Sequence, residues 1–320
     1  MKIVVTDAHT ANPGDLSWDA LSTMGDVQVY PRTAVDEIIP RCQDADVVLT
    51  NKVPLNAETL AALPQLRYIG VTATGTNIID LEAASQRGIV VTNVPDYSSR
   101  SVAQHVFAMV LELANQVGRH NDAVQDGQWQ RCPDFSFTTG PLIELAGSTM
   151  GIIGFGSIGR CTAAIARALG MNVLAYSRTP PKPDPNDPDA FTPVGLDDLL
   201  GQSDVVSLHC PLTPQTHHLI NAQRLSTMKS SAWLVNTSRG PVIDEDALAS
   251  ALRNGVIGAA ALDVLDSEPM KPDHPLMGLD RCIITPHVAW ATVQARRRLI
   301  DTVTANVRQW IDGDAVNVVN

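Results

Sequence analysis

The chain has 320 residues, 44% of them hydrophobic, with 23 Lys and Arg against 34 Asp and Glu and a formal net charge of −11. That length predicts about two domains, each with its own core. An acidic chain without a long Lys/Arg block is poorly suited to bind nucleic acid or an anionic membrane, so a small anionic ligand would need positive charge supplied locally. Met1–Asp7 is too short an apolar run for a signal peptide, and no stretch approaches 18 unbroken apolar residues, so no membrane span is expected. The five cysteines, Cys42, Cys132, Cys161, Cys210 and Cys282, are scattered and odd in number. They read as reduced thiols of a cytoplasmic protein with no metal site.

Over the first hundred residues, apolar runs at Ile3–Thr6, Val27–Tyr30, Val47–Thr50, Tyr68–Val71 and Ile89–Val94 alternate with helix-like stretches at Val35–Cys42, Ala57–Leu63 and Leu81–Arg87. Such alternation predicts βαβ units and a parallel sheet. Ser101–Gln116 reads as one long apolar helix. A second β/α series starts at Thr149 and continues through Asn172–Tyr176, Asp204–His209, Trp233–Thr237, Ile257–Asp263 and Ile283–Thr285. Thr179–Pro188 carries five prolines, which exclude helix interior and central strand and predict an exposed loop. A last helix spans Ala291–Asp312. Its Arg296-Arg297-Arg298 reads as a solvated face.

Gly151-Ile152-Ile153-Gly154-Phe155-Gly156-Ser157-Ile158-Gly159 follows a predicted strand and opens a predicted helix over Ile158–Leu169. In that context G-x-G-x-x-G is a dinucleotide fingerprint. Gly154 permits the tight turn, Gly156 lets the backbone approach the pyrophosphate, and Gly159 lets helix and sheet pack closely. The helix then offers its N-terminus to the phosphates. An NAD-preferring site ends its second strand on an acid that binds the ribose 2′-hydroxyl. Here Ser177, Arg178 and Thr179 stand there. Loss of the carboxylate and gain of a guanidinium suit a 2′-phosphate, so NADP(H) preference or dual use of NADP(H) and NAD(H) is expected.

Arg239, Glu268 and His287 each follow a β-like run. In open parallel sheets, ligands bind beyond the carboxyl ends of the strands. His287 is placed as general acid in reduction and general base in oxidation. Glu268 would fix its ring and favour its charged form, and Arg239 would grip a carboxylate with two-pronged geometry. The remaining histidines, including His105, His209 and His274, read as structural.

These segments, with His209-Cys210-Pro211-Leu212-Thr213, Leu234–Asp244, Ala261–Pro269 and Thr285-Pro286-His287, resemble the D-isomer-specific 2-hydroxyacid dehydrogenases over nearly the whole chain. The resemblance implies a fold of two doubly wound parallel α/β domains. A Rossmann nucleotide domain (101–287) would be inserted into a flavodoxin-like substrate domain (1–100 with 288–320). It implies an Arg239–Glu268–His287 catalytic set and substrate contacts at Thr74 and Gly75. Cofactor contacts would fall at Ser157, Ile158, Cys210, Pro211, Thr237 and Asp263, with Val102 beside the nicotinamide, and the assembly would be a homodimer. Asn12–Trp18 and His287–Ala291 look most like glycerate dehydrogenases, which reduce hydroxypyruvate and glyoxylate to D-glycerate and glycolate. Glu268 speaks against formate dehydrogenases, which carry Gln there, and an end at Asn320 leaves no room for the regulatory extension of some phosphoglycerate dehydrogenases. A nucleotide-sensing corepressor of the same fold, without turnover, is the alternative from another class.

Overall fold

The computed structural model describes residues 1–180, 182, 187 and 190–320. In chain order the elements begin with β1 (Lys2–Val5), β2 (Asp26–Val29), α1 (Ile38–Cys42), β3 (Val47–Thr50), α2 (Ala57–Ala61), β4 (Tyr68–Val71), α3 (Leu81–Gln86) and β5 (Val90–Thr92). There follow α4 (Ser99–Asn115), α5 (Val117–Gln125), β6 (Thr149–Ile153), α6 (Ser157–Ala168), β7 (Asn172–Tyr176), β8 (Thr192–Pro193) and α7 (Leu196–Gln202). The chain continues through β9 (Val205–Leu208), α8 (Ala222–Thr227), β10 (Trp233–Asn236), α9 (Glu245–Arg253), β11 (Ala259–Leu262), β12 (Cys282–Ile284) and α10 (Val293–Ile311). Among the described residues no helix is long and apolar enough to cross a membrane.

Two compact units result, residues 1–98 with 291–320 and residues 99–290. The first holds a five-stranded sheet in the order β2-β1-β3-β4-β5, every pair parallel, which is the flavodoxin-like order. β3 and β4 are buried at every position. Their Val-Val-Leu-Thr and Tyr-Ile-Gly-Val sequences are continuous rather than alternating, as expected of a sheet covered on both faces. Asn56 and Asp80 cap α2 and α3 by accepting from the N–H groups of Thr59 and Ala83. Thr292 caps α10 in the same way through Ala295.

The arginine run in α10 corrects the sequence reading at its first member. Arg296 is only 6% exposed. It forks onto Asp15, with Nη1 to Oδ1 at 2.7 Å and Nη2 to Oδ2 at 2.6 Å, and donates to the carbonyls of Ala11 and Ala291. The guanidinium holds the Asp15 carboxyl below its ordinary range. Charge alone suggested a solvated face; the acid that draws Arg296 inward lies 281 residues away, where no helix-face pattern reveals it. Arg297 and Arg298 are exposed.

The second unit holds a seven-stranded sheet, all parallel, in the order β12-β11-β10-β9-β6-β7-β8. Taken from β6, this is the dinucleotide-binding order extended by one strand, and it reverses direction between β6 and β9. Met150, Ile152, Val173 and Val205 pack under α4 and α6 on one face. Val206, Leu208, Leu234 and Leu262 pack under the helices of the other. β8 was not anticipated. It is a two-residue strand at the sheet edge ending in Pro193, a position where a missing N–H is tolerated. Of the proline-rich segment expected as a loop, Pro181, Pro183, Pro185 and Pro188 lie outside the described residues. Residues 288–290, assigned from sequence to the terminal segment, go with the second unit. The reason is chemical: the buried carboxylate of Asp263 accepts the N–H groups of Val288 and Ala289.

Candidate active site

The turn after β6 sits at the sheet's switch point. Gly154 has φ +96°, and an added Cβ there would lie 2.5 Å from the Cys210 nitrogen and 2.6 Å from the His209 carbonyl carbon. At Gly159 an added Cβ would lie 2.4 Å from the Gly154 oxygen. Both glycines are therefore demanded by protein packing. Gly156 differs: it caps α6 with no side chain, and an added Cβ meets nothing within 4 Å. Ser157, the first residue of α6, is exposed and Ile158 half-buried. Beyond β7, Ser177 Oγ accepts the Phe155 N–H at 2.7 Å. The hydroxyl that replaces the usual acid thus braces the glycine turn, while Arg178 and Thr179 are exposed.

Beyond β9, Cys210 is buried and its thiol is pushed up to about 11 by that burial. Pro211 is exposed, and its carbonyl accepts from Thr216. His209 keeps some residue-level exposure, but Nδ1 is occluded and lacks a hydrogen-bond partner. Its Nε2 lies 2.9 Å from the fully buried Ser207 hydroxyl. Burial depresses its pKa to about 4. Beyond β10, the wholly buried Asn236 organises the turn. Its Oδ1 accepts the Ser238 N–H and hydroxyl, and its Nδ2 donates to the Arg239 carbonyl at 2.9 Å. Thr237 Oγ1 is occluded without a partner. The Arg239 side chain is exposed and donates to the Ser238 carbonyl.

Glu268 and His287, far apart in sequence, are brought into contact. Glu268 Oε2 lies 2.7 Å from His287 Nδ1, and Oε1 accepts the Leu265 N–H at 3.1 Å. The side chains keep 37% and 28% exposure respectively, enough for solvent or substrate to reach them. With Nδ1 engaged, Nε2 is the ring nitrogen left to face a reactant. His287 has φ +55°, in the left-handed region uncommon for residues with side chains. Asp263 fixes this conformation. Its carbonyl accepts the His287 N–H at 2.8 Å, and its carboxylate, 1% exposed, accepts from Val288, Ala289 and the Thr285 hydroxyl. His105 on α4 bonds Thr285 Oγ1 at 3.0 Å and lies 3.5 Å from Asp263.

Sequence reasoning overlooked Asn236, His105 and Thr285 as supports of this edge. For Asn236 and Thr285 the available signal was a polar residue inside or beside an otherwise apolar strand; for His105 it was a polar residue on the long apolar helix α4. Val102 is buried on α4. Thr74 and Gly75 follow β4 in the first unit, where Thr74 Oγ1 donates to the Val94 carbonyl at 2.8 Å. Among the described residues no three His, Cys, Asp or Glu side chains cluster as metal ligands, and all five cysteines are free thiols.

A glycine turn at the switch point of a parallel sheet belongs to dinucleotide-binding enzymes, and the comparisons give the class. Residues 107–289 match the family model for the D-isomer specific 2-hydroxyacid dehydrogenase, NAD binding domain. The chain belongs to that family: it is an oxidoreductase of 2-hydroxy acids that uses a nicotinamide cofactor. More particularly, it is 46% identical to a hydroxypyruvate reductase of Blautia hydrogenotrophica, over 100% of both chains. It is 42% identical to a glycerate dehydrogenase of Methylorubrum extorquens, over 89% of this chain and 88% of that one. Among solved structures, an acyclic imino acid reductase in complex with NADPH and D-Arg superposes with a TM-score of 0.87 at 29% identity, covering 100% of both chains.

Proposed function

We propose that the protein reduces hydroxypyruvate and glyoxylate to D-glycerate and glycolate, with Arg239, Glu268 and His287 as its catalytic set. The 2.7 Å contact between Glu268 and His287 carries this reading. A general acid needs a fixed ring with one nitrogen free to point at its target, and this contact provides it. Support for the substrate class comes from the hydroxypyruvate reductase and glycerate dehydrogenase relatives.

The residues fit a dinucleotide. Gly156 opens onto clear space at the start of a 12-residue helix, and Thr237 Oγ1 is an occluded hydroxyl lacking a partner. Ser157, Ile158, Cys210, Pro211, Thr237, Asp263 and Val102 would line it. The nicotinamide, when bound, supplies the hydride. His287 Nε2 delivers the proton to the oxygen of the 2-oxo group, Glu268 holds the ring through Nδ1, and the Arg239 fork pairs with the substrate carboxylate. Thr74 and Gly75 would contribute backbone contacts to that carboxylate.

NADP(H) is the preferred cofactor in this reading, with NAD(H) also used. No carboxylate stands at position 177 to repel a 2′-phosphate, the Ser177 hydroxyl is committed to Phe155, and Arg178 is exposed beside it. Absorbance at 340 nm with hydroxypyruvate or glyoxylate and each reduced cofactor tests both statements. Turnover with both acids and a higher kcat/KM for NADPH is expected, with Ser177→Asp moving the ratio toward NADH. Coenzyme binding without turnover of any short 2-oxo acid would favour the nucleotide-sensing alternative. Strong NADH preference, unmoved by Ser177→Asp, would overturn the cofactor assignment.

A further inference from the structure

Glu245 is the first residue of α9, behind the cap Asp244. Both its oxygens are engaged by the segment that carries Glu268. Oε1 accepts the Asp266 N–H at 2.8 Å, and Oε2 lies 2.9 Å from His274 Nε2. His274 Nδ1 accepts the Leu276 N–H at 3.3 Å, which makes Nε2 the donor toward Glu245. The two side chains keep 12% and 7% exposure. A carboxylate so far out of water is retained only where its hydrogen bonds are met, and here they are met by the 266–276 segment. The half-buried Cys282 thiol feels the Glu245 charge, its pKa raised to about 12 by desolvation and then by that charge.

The same segment is pressed from another side. An added Cβ at Gly240 would lie 1.9 Å from the Leu265 carbonyl carbon and 2.2 Å from the Asp266 nitrogen, so backbone rests on backbone beside Arg239. The Leu265 N–H then closes onto Glu268 Oε1. Glu268 therefore hangs from a short loop with three attachments: the Gly240 contact, its own bond to Leu265, and the Glu245–His274 pair.

We propose that Glu245 and His274 are positioning residues for the reduction, holding the 265–268 loop so that the Glu268 carboxylate meets His287. The proposal rests on the reading of Glu268 and His287 as the proton-transfer pair. Neither positioning residue touches substrate. Their effect passes through Asp266 N–H, two residues from Glu268.

The test uses the full-length enzyme with hydroxypyruvate and NADPH. Glu245→Ala should lower kcat about 10- to 100-fold, the scale of a small misplacement of a reacting group, with coenzyme Kd within about twofold. Glu245→Gln should recover kcat only in part, to within about tenfold, because its amide oxygen still accepts the Asp266 N–H while its NH2 now faces the His274 Nε2–H donor. In a Glu268→Gln background, Glu245→Ala should cost no more than about another twofold, since both act through one group. The pH profile of kcat/KM for Glu245→Ala should move toward that of Glu268→Gln. An undiminished loss in the Glu268→Gln background, or unchanged kcat in Glu245→Ala, would overturn the proposal. Should Glu245→Ala fail to fold, His274→Gln carries the same cycle. The single variants Glu268→Gln and His287→Ala report on the underlying reading separately: intact kcat in both removes that reading, and the positioning role with it.

Discussion

The turn after β6 is shaped by side chains that are missing, whereas the segments after β11 and β12 are shaped by side chains that are present. At Gly154 and Gly159 the neighbouring backbone occupies the space a Cβ would need. At Glu268 and His287 the chain is held by the carboxylates of Asp263 and Glu245 and by the Thr285 hydroxyl. The two solutions suit different tasks. A cofactor's phosphates ask for bare backbone donors at close range. A proton carrier asks for a side chain held in one orientation, which only other side chains and a committed backbone can provide.

The largest effect should come from breaking the second region at its centre. His287→Ala should lower kcat about 10²- to 10⁴-fold, the usual contribution of a general acid or base, while coenzyme affinity measured by fluorescence titration stays close to wild type. Glu268→Gln should fall short of that loss, since it keeps a hydrogen-bonding group beside Nδ1 but removes its charge. Retained kcat in His287→Ala would show that the proton comes from elsewhere and would detach the second region from the chemistry.

Gly240 is where the first device recurs inside the second region. It has ordinary φ and is needed only because the Leu265–Asp266 backbone lies on it. Gly240→Ala should push that loop and the adjoining Arg239 apart, lowering kcat/KM about 100-fold and destabilising the fold by about 1–3 kcal/mol through overpacking. Steady-state kinetics beside urea unfolding check both. A stability loss without a kinetic one would mean that the Glu268 loop tolerates displacement.

Between the two regions lies His209, whose backbone crowds Gly154. Burial lowers its pKa to about 4, whereas the unfolded chain titrates near 6.5. Above about pH 6.5 both states are neutral there. As pH falls the unfolded chain takes up a proton that the folded one refuses, so stability declines between about 6.5 and 4, by roughly 3 kcal/mol at most. Asp15 has its folded pKa lowered as well, so its contribution is lost only at lower pH, as its carboxylate protonates. Urea unfolding at pH 7.5, 6 and 5 should show the decline, and His209→Asn should flatten it. An equal slope in both proteins would place the titrating group elsewhere.

The same contrast decides what could be read from sequence. Both sheets were legible, because fully buried strands such as Val47–Thr50 and Ala259–Leu262 are continuous or nearly continuous apolar runs. The glycine turn was legible because a required glycine stands at fixed spacing after a strand. The supports of Glu268 and His287 were not. Glu245 follows an ordinary helix cap, His274 lies in an irregular loop, and Asp263 looks like one more strand-end acid until its carboxylate is seen holding Val288 and Ala289. Periodicity reports which face of an element is buried. It says nothing about a hydrogen bond between residues far apart along the chain, which also explains the misreading of Arg296.

The smallest effect on stability is the one that separates packing from ligand binding within a single turn. Gly154 and Gly156 are two residues apart, yet only Gly154 has positive φ and only Gly154 is crowded by protein. Gly154→Ala should destabilise the apoprotein by about 1–3 kcal/mol, since an L side chain is strained there and has no room. Gly156 has φ −82° and clear space around it, so Gly156→Ala should change apoprotein stability by no more than about 0.5 kcal/mol. If the turn receives a pyrophosphate, that methyl stands where the ligand's oxygens approach the backbone, and coenzyme affinity should fall about tenfold or more. Thermal unfolding of the apoprotein and coenzyme titration of the same variants give the two readings. Unchanged coenzyme affinity in Gly156→Ala would mean that the pyrophosphate does not rest on this turn.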